Sequence, residues 1–377
     1  MSLRIGGMGW VTPLGSGLSA VWERLLAGEE ASAETLGSPL HERSYPAFRV
    51  PASATAGAPA HPRLRRSSAI SRFAVVAGLG ALENAGVQLD SASAERTALI
   101  FAISNGGVVY TKRFYHDVVA TGAQAASPLL FPETVFNAPA SHLAAILGIT
   151  GATYTLVGDG AVGLLALKMA EDLMLNPQLD RCLVVGSEEA DWLLCDAYRR
   201  WHLLRDSPPV EPFRIPGRGM VLSEGAGAVL VDRTGPIALE QIDAGCNFRQ
   251  QQHAGACVQE IFGRLGARSD EVVVASANGT FIDNAERTAV LHHCAEATIY
   301  APKAALGEAV GAAALWQVIC AAQVLRTPAV PPTLHVTADE LLQVSSPAQD
   351  PQPWQRAIVS TCGMNQQVAG LALRRIS

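Results

Sequence analysis

Lys303 and Glu308 stand five residues apart in Ala301-Pro-Lys-Ala-Ala-Leu-Gly-Glu308, and an ammonium near a carboxylate serves either as an acid and base pair or as a buried ion pair. Asp159, between Gly158 and Gly160, also has two readings: attack on an acyl group, or a local side-chain to backbone bond in a tight turn. Cys362, in Ile358-Val-Ser-Thr-Cys362-Gly-Met364, is a substitute nucleophile or a small buried hydrophobe. In each case the second reading is the simpler one. His292 and His293 precede Cys294 and invite a zinc site, but neighbours on a helix point in different directions, so no metal is expected. His142 and His202 read as structural.

Elements that would position these groups follow from hydrophobic pattern and turn residues. Arg4-Ile-Gly-Gly-Met-Gly-Trp-Val-Thr-Pro-Leu-Gly15 reads as a strand ending in a Pro/Gly turn, followed by a helix through Val21 to Gly28. Gly151-Ala-Thr-Tyr-Thr-Leu-Val-Gly-Asp-Gly160 reads as a strand and a Gly-rich turn, leading into an apolar helix toward Met174. Glu271-Val-Val-Val-Ala-Ser-Ala-Asn278-Gly-Thr280 is a β-branched strand entering a turn. Thr97-Ala-Leu-Ile-Phe-Ala-Ile103, Arg181-Cys-Leu-Val-Val-Gly186, Val272-Val-Val-Ala275 and Ala357-Ile-Val-Ser360 are short apolar runs separated by helical segments, the pattern of buried sheets covered by helices. Residues 51–62, 208–212 and 328–332, rich in proline, read as surface connections.

In this order the frames resemble the β-ketoacyl synthases, condensing enzymes of the thiolase fold, over essentially the whole chain. The opening strand and helix are similar to theirs, and the turn at Gly160 stands where that family carries its cysteine nucleophile. The stretch ending Asn278-Gly-Thr280 resembles the family's Asn-Ala-His-Gly-Thr segment, and Lys303 to Ala313 its Lys-Ser-x-x-Gly-His-x-x-Gly-Ala-Ala segment, with Glu308 at the histidine. Phe213 to Gly227 resembles the Pro-Phe-Asp…Gly-Glu-Gly-Ala loop, and residues 358–370 occupy the place of the mobile Gly-Phe-Gly-Gly-Thr-Asn gate. The resemblance implies an α/β thiolase-like fold: duplicated α/β halves, residues 1–230 and 231–377, in one layered αβαβα body with two mixed five-stranded sheets.

Against that family the chemistry is depleted. Condensation needs a thiolate, favoured at a helix N-terminus, to accept the acyl group, and Gly160 has no side chain to acylate. It also uses two imidazoles to stabilise the enolate, and losing one such donor costs about a hundred- to a thousand-fold in rate. Asn278 can still donate a hydrogen bond; Glu308 repels an oxyanion as a carboxylate and donates only if burial keeps it neutral, and both states stay open. Where the gate has its glycine pair, this chain has Asn365 and Gln366, which predicts lost mobility. The degenerate positions are therefore Gly160, Asn278 and Glu308, with Lys303 retained, and decarboxylative condensation is expected to be lost.

Composition bounds the partners. The 377 residues are 49% apolar with net charge −6 and no basic run, which argues against nucleic acid. No stretch of 18 uncharged apolar residues or signal-peptide pattern occurs, and residues 309–325 read as a buried core helix. Seven scattered cysteines without a CxxC pair suit reduced thiols in the cytoplasm. No cofactor is expected.

The resemblance extends to chain length factors, catalytically inactive relatives that pair with an active synthase and line its acyl tunnel. It implies a heterodimer subunit shaping an active β-ketoacyl synthase in polyketide, aryl-polyene or unusual fatty-acid biosynthesis, with acyl carrier protein as a further partner. Aromatic-polyketide factors carry glutamine where Gly160 stands, so the pathway is left open. Asn105, Val108, Val109, Tyr110 and Phe114 match the region bordering the tunnel, Leu129, Leu130 and Phe131 a segment reaching toward the partner, and Cys362 and Met364 the gate. Tyr110 and Phe114 would then limit chain length. Two alternatives remain: a repurposed acyl-thioester hydrolase or acyltransferase using Cys362, Asp159 or Glu308, and a homodimer that binds an acyl chain or carrier protein without chemistry.

Overall fold

Ten strands form the scaffold: β1 (Arg4–Thr12), β2 (Thr97–Ile103), β3 (Thr153–Val157), β4 (Arg181–Glu188), β5 (Gly225–Asp232), β6 (Ile237–Asn247), β7 (Val272–Val274), β8 (Thr298–Tyr300), β9 (Arg356–Cys362) and β10 (Gln367–Arg375). The computed structural model describes residues 3–336, 341–347 and 352–376. Five strands lie in the order β3-β2-β4-β5-β1 and five in the order β8-β7-β9-β10-β6. In each set the first three strands are parallel and the last two alternate antiparallel. The duplication that sequence similarity does not display is thus plain in the strand order, and the chain passes from one set to the other between Asp232 and Ile237. The two five-stranded sheets touch at one corner, where Arg4 and Ile5 pair with Ala238 and Ile237 and join them into one continuous ladder.

Helices complete the layers. α1 (Leu18–Leu26) follows β1; α2 (Ala69–Asn84), α3 (Val108–Thr121), α4 (Ala138–Leu147), α5 (Val162–Leu173) and α6 (Trp192–Arg200) belong to the first half, and α7 (Ala254–Leu265), α8 (Phe281–His293) and α9 (Ala313–Arg326) to the second. α2 and α4 cover the outer face of the first sheet and α7 and α8 that of the second, while α5 and α9 pack on each other and on both sheets. β2 is buried at every residue, which is why its seven apolar and β-branched positions show no alternation. From Ala313 through Leu325, α9 is buried all round, as a helix in the middle layer must be. α5 and α9 approach closely through Gly163, where an added Cβ would lie 2.9 Å from that of Ala314. Among the described residues no helix is long and apolar enough to cross a membrane.

Candidate functional site

Glu308 leaves the short helix Lys303–Leu306 through Gly307 and enters an extended stretch, where its N–H donates to the Val221 carbonyl and its own carbonyl accepts from the Ser223 N–H. This fixes the carboxylate in the interior. One oxygen accepts from Asn278 Nδ2 at 2.8 Å and from Lys303 Nζ at 2.7 Å, and Lys303 also donates to Ser276 Oγ at 2.9 Å. All four side chains are buried. The second oxygen of Glu308 has no hydrogen-bond partner among the described residues. Lys303 and Glu308 thus stand as a buried pair at ion-pair distance.

Asn278 is held by the turn that follows β7. Its side-chain oxygen accepts from the Thr280 hydroxyl at 2.6 Å, and the Asp283 carboxylate at the start of α8 accepts from the N–H groups of Asn278, Gly279 and Phe213. Burial raises Asp283 to about 6, against these three donors. The loop beyond Glu308 is strained at Val310, a β-branched residue with φ 26°. It is tied down at Gly311, whose N–H, with those of Ser104, Asn105 and Gly106, faces the fully buried Glu188. Burial pushes Glu188 to about 8 although these four donors pull it down.

At the turn before α5, Gly160 is buried, and an added Cβ would lie 3.2 Å from Gly363 Cα and 3.7 Å from the Cys362 carbonyl oxygen. That carbonyl accepts from Ser276 Oγ at 3.3 Å, which connects the turn to the Lys303 and Glu308 pair. Asp159 makes the local bond of a Gly-Asp-Gly turn, accepting from the Gly160 N–H at 2.5 Å, and it also reaches across the fold. Its two oxygens accept from the N–H of Met364 at 3.2 Å and of Asn365 at 2.6 Å. In return the Asp159 N–H donates to the side-chain oxygen of Gln367 at 3.1 Å. The gate segment, residues 363–367, is thereby fastened to the turn in both directions. Burial raises the Asp159 carboxyl, the three N–H donors lower it, and Glu308 adds to the rise.

The gate differs from the sequence reading in one respect. Gln366 lies at φ 83°, so the left-handed conformation that glycine makes easy is kept without glycine. The segment is held by contacts, namely Asp159, Gln367 and the Phe248 N–H on the Gln366 carbonyl, not by the conformational limits of its residues.

A cavity of about 350 Å³ opens beside Asp159, lined by Ser104, Asn105, Tyr198, Trp201, Met364 and Asn365 among others. Of the pocket residues expected from sequence, only Asn105 and Met364 face it. Val108, Val109, Tyr110 and Phe114 lie on α3, none of whose described residues is buried, and the Tyr110 hydroxyl donates to the carbonyls of Arg66 and Ser67. Phe114 packs against Phe131, ring centroids 5.7 Å apart, while Leu129 is 59% and Phe131 56% exposed and Leu130 is half-buried beside them. Val108, Val109, Tyr110 and Phe114 are thus half-buried on α3, beside the exposed Leu129 and Phe131, and apart from the cavity at Asp159.

Cys362 is buried in the core of the second half, and burial, with Glu286 and Asp159 nearby, raises its thiol well above the usual range, which disfavours the thiolate. The rings of His292 and His293 stand edge to face at 4.6 Å, closer than neighbouring helical positions suggest, yet among the described residues no three metal-capable side chains gather. His142 bonds Glu133 at 2.6 Å, and His202 is exposed in a left-handed turn. Ser276, Gln367 and Glu188 were not singled out by sequence. Ser276 lies only two residues before Asn278, but nothing local marks Gln367, whose partner is 208 positions away.

Residues 2–235 match the family model described as Beta-ketoacyl synthase, N-terminal domain, and residues 238–337 the corresponding C-terminal domain. The chain is 22% identical to nodulation protein E of Rhizobium leguminosarum bv. trifolii, across 88% of each protein. It is 23% identical to the 3-oxoacyl-[acyl-carrier-protein] synthase 2 of Coxiella burnetii, across 88% of this chain and 87% of that one. The solved structure of the ishigamide ketosynthase/chain length factor superposes with a TM-score of 0.87 at 19% identity, covering 100% of this chain and 99% of the other.

Proposed function

The chain belongs to the β-ketoacyl synthase family, and from that membership we propose that it is a non-catalytic ketosynthase-like subunit, similar to a chain length factor, that pairs with an active synthase and shapes the acyl tunnel between them. The observation that carries this reading is the filled centre. Gly160 offers no nucleophile, and the N–H groups of Gly160, Met364 and Asn365 are already taken by Asp159. An enolate oxygen formed there would face the carboxylates of Asp159 and Glu308 with the Lys303 charge already paired, and stabilisation of developing negative charge is what condensation requires.

Pairing has its own support. Among the described residues β3 is the outermost strand of its sheet and bonds only to β2, leaving one backbone edge open, with Tyr154 and Val157 exposed along it. Tyr115, Val119, Leu129, Phe131, Val135 and Phe136 are also exposed on and after α3. Apolar side chains exposed in such number, together with an open sheet edge, suit a second subunit of the same fold. In that assembly Tyr110 and Phe114 would border the partner's acyl chain. The ishigamide pair and the acyl carrier protein named for the Coxiella relative point to an acyl chain carried on such a protein as the cargo.

Native mass spectrometry of the chain, alone and mixed with an intact synthase and an acylated carrier protein, tests this. A 1:1 heterodimer with acyl mass only on the partner is the expected result. Covalent acyl mass on this chain would overturn the reading in favour of a refitted acyl-transfer site, and persistent self-association beside the synthase would favour the binding homodimer.

A further inference from the structure

Three of the seven cysteines meet on the far side of the gate. In the sheet, Cys246 of β6 stands opposite Val368 of β10, and Cys362 of β9 stands opposite the same valine from the other edge. Residues directly opposite one another share a face, so a cysteine, a valine and a cysteine form a row across three strands. Helix α7 lies over that face. Gly370, two residues beyond Val368 and on its side of the pleat, has Ile261 and Leu265 against it, so that an added Cβ would meet them at 2.5 and 2.7 Å. One helical turn before Ile261 is Cys257, which packs on the same core. Register and helix packing thus bring Cys257 over the row, and its influence reaches both of the other thiols. Cys246 and Cys257 are half-exposed, while Cys362 is buried.

We propose that Cys246 and Cys257 form a reversible disulfide that clips α7 to β6 behind the gate turn. The oxidant is a low-molecular-weight disulfide such as oxidised glutathione. One protein thiolate attacks a sulfur of that disulfide and releases the first small thiol; the second protein thiolate then attacks the protein sulfur of the mixed disulfide and releases the other. Two S–H bonds are lost from the protein, one S–S bond forms, and the two protons end on the released thiols. Burial first, then the neighbouring Cys257, raises the Cys246 thiol to about 12, with Arg264 opposing, so the thiolate is the minor form of Cys246 at neutral pH. The reach of the clip is short: Asn247 pairs with Gln367, and the Phe248 N–H holds the Gln366 carbonyl, so the residues just after Cys246 brace the gate directly.

The test uses the intact purified chain, equilibrated with oxidised or reduced glutathione, then denatured and alkylated. After oxidation five of the seven cysteines should remain alkylatable, with Cys246 and Cys257 recovered in one linked peptide, and dithiothreitol should restore all seven. Amide exchange across residues 363–367 should slow several-fold in the oxidised form. Cys257→Ser and Cys246→Ser should each stop at a mixed disulfide with glutathione, and Cys362→Ser should leave the link intact. Seven free thiols after prolonged oxidation, or a link that runs to Cys362, overturns the assignment even if no variant folds.

Discussion

The centre around Gly160 and the surface around α3 are opposite in construction. In the centre, Asp159, Asn278, Lys303 and Glu308 are buried and bonded to one another or to the backbone. On the surface, α3 buries none of its described residues, and Leu129, Phe131 and Val157 are each more than half exposed. Where the relatives' chemistry would sit, the interior has been closed with charge and hydrogen bonds; where a second subunit would sit, apolar area is left uncovered. On the proposed reading, stability resides in the first region and recognition in the second.

Breaking the ion pair tests the first region most severely. Lys303→Met leaves Glu308 buried without its cation and should cost about 3–5 kcal/mol in urea unfolding, and Glu308→Leu added to it should recover much of that loss. A loss below about 1 kcal/mol for the single change would mean that the centre is not built on the pair. The second region should behave in the opposite way. Leu129→Asp with Phe131→Asp should weaken partner binding by about a hundred-fold while leaving the isolated chain within about 0.5 kcal/mol of its stability; equal effects on both would erase the contrast. Asp159→Ala removes the acceptor of three N–H groups and should cost about 1–3 kcal/mol, with faster amide exchange confined to residues 363–367.

Acidity gives a finer comparison. Burial raises Glu188 to about 8 and Glu286 to about 7, above their unfolded values, so the native state holds protons that the unfolded state releases. Their contribution to stability is full below about pH 4 and is lost as pH rises toward 8, by about 1.4 kcal/mol per pH unit for each proton held. Glu188→Gln should flatten the fall measured by unfolding at pH 5, 6, 7 and 8. The smallest effect is expected at Gly160→Cys, where the added side chain meets Gly363 at 3.2 Å: a loss below about 1 kcal/mol and no covalent loading from an acyl thioester.

Much of the fold was legible because its signals are local. Thr97–Ile103 is a strand over the residues its apolar run marks, and the run through residues 309–325 became the buried α9, apart from the turn that precedes Ala313. Strand Arg181–Glu188 runs two residues past its apolar core, and that overrun places Glu188 among the four N–H groups it faces. The substituted positions were legible for the same reason, since each lies inside a continuous frame. What could not be read locally was the reach of Asp159 to residues 205 and 206 positions away, or the outward facing of α3, which depends on what packs beside it. Gln366 shows the third kind of failure, a side chain holding a backbone conformation that its type disfavours because neighbouring contacts overrule preference.

The Asp159 clasp also bears on how such a centre changes with time. Gly363 must stay glycine, because any Cβ there would collide with the Asp159 carboxylate, and a side chain regained at Gly160 would press on the same Gly363. A cysteine placed at position 160 would therefore sit in a turn whose hydrogen-bond donors are occupied, beside a gate that is pinned, and near a glutamate held by Lys303. On the proposed reading, a cysteine at 160 alone would therefore not confer condensation: the donors, the gate and the glutamate would each have to change with it, and the clasp ties those changes together.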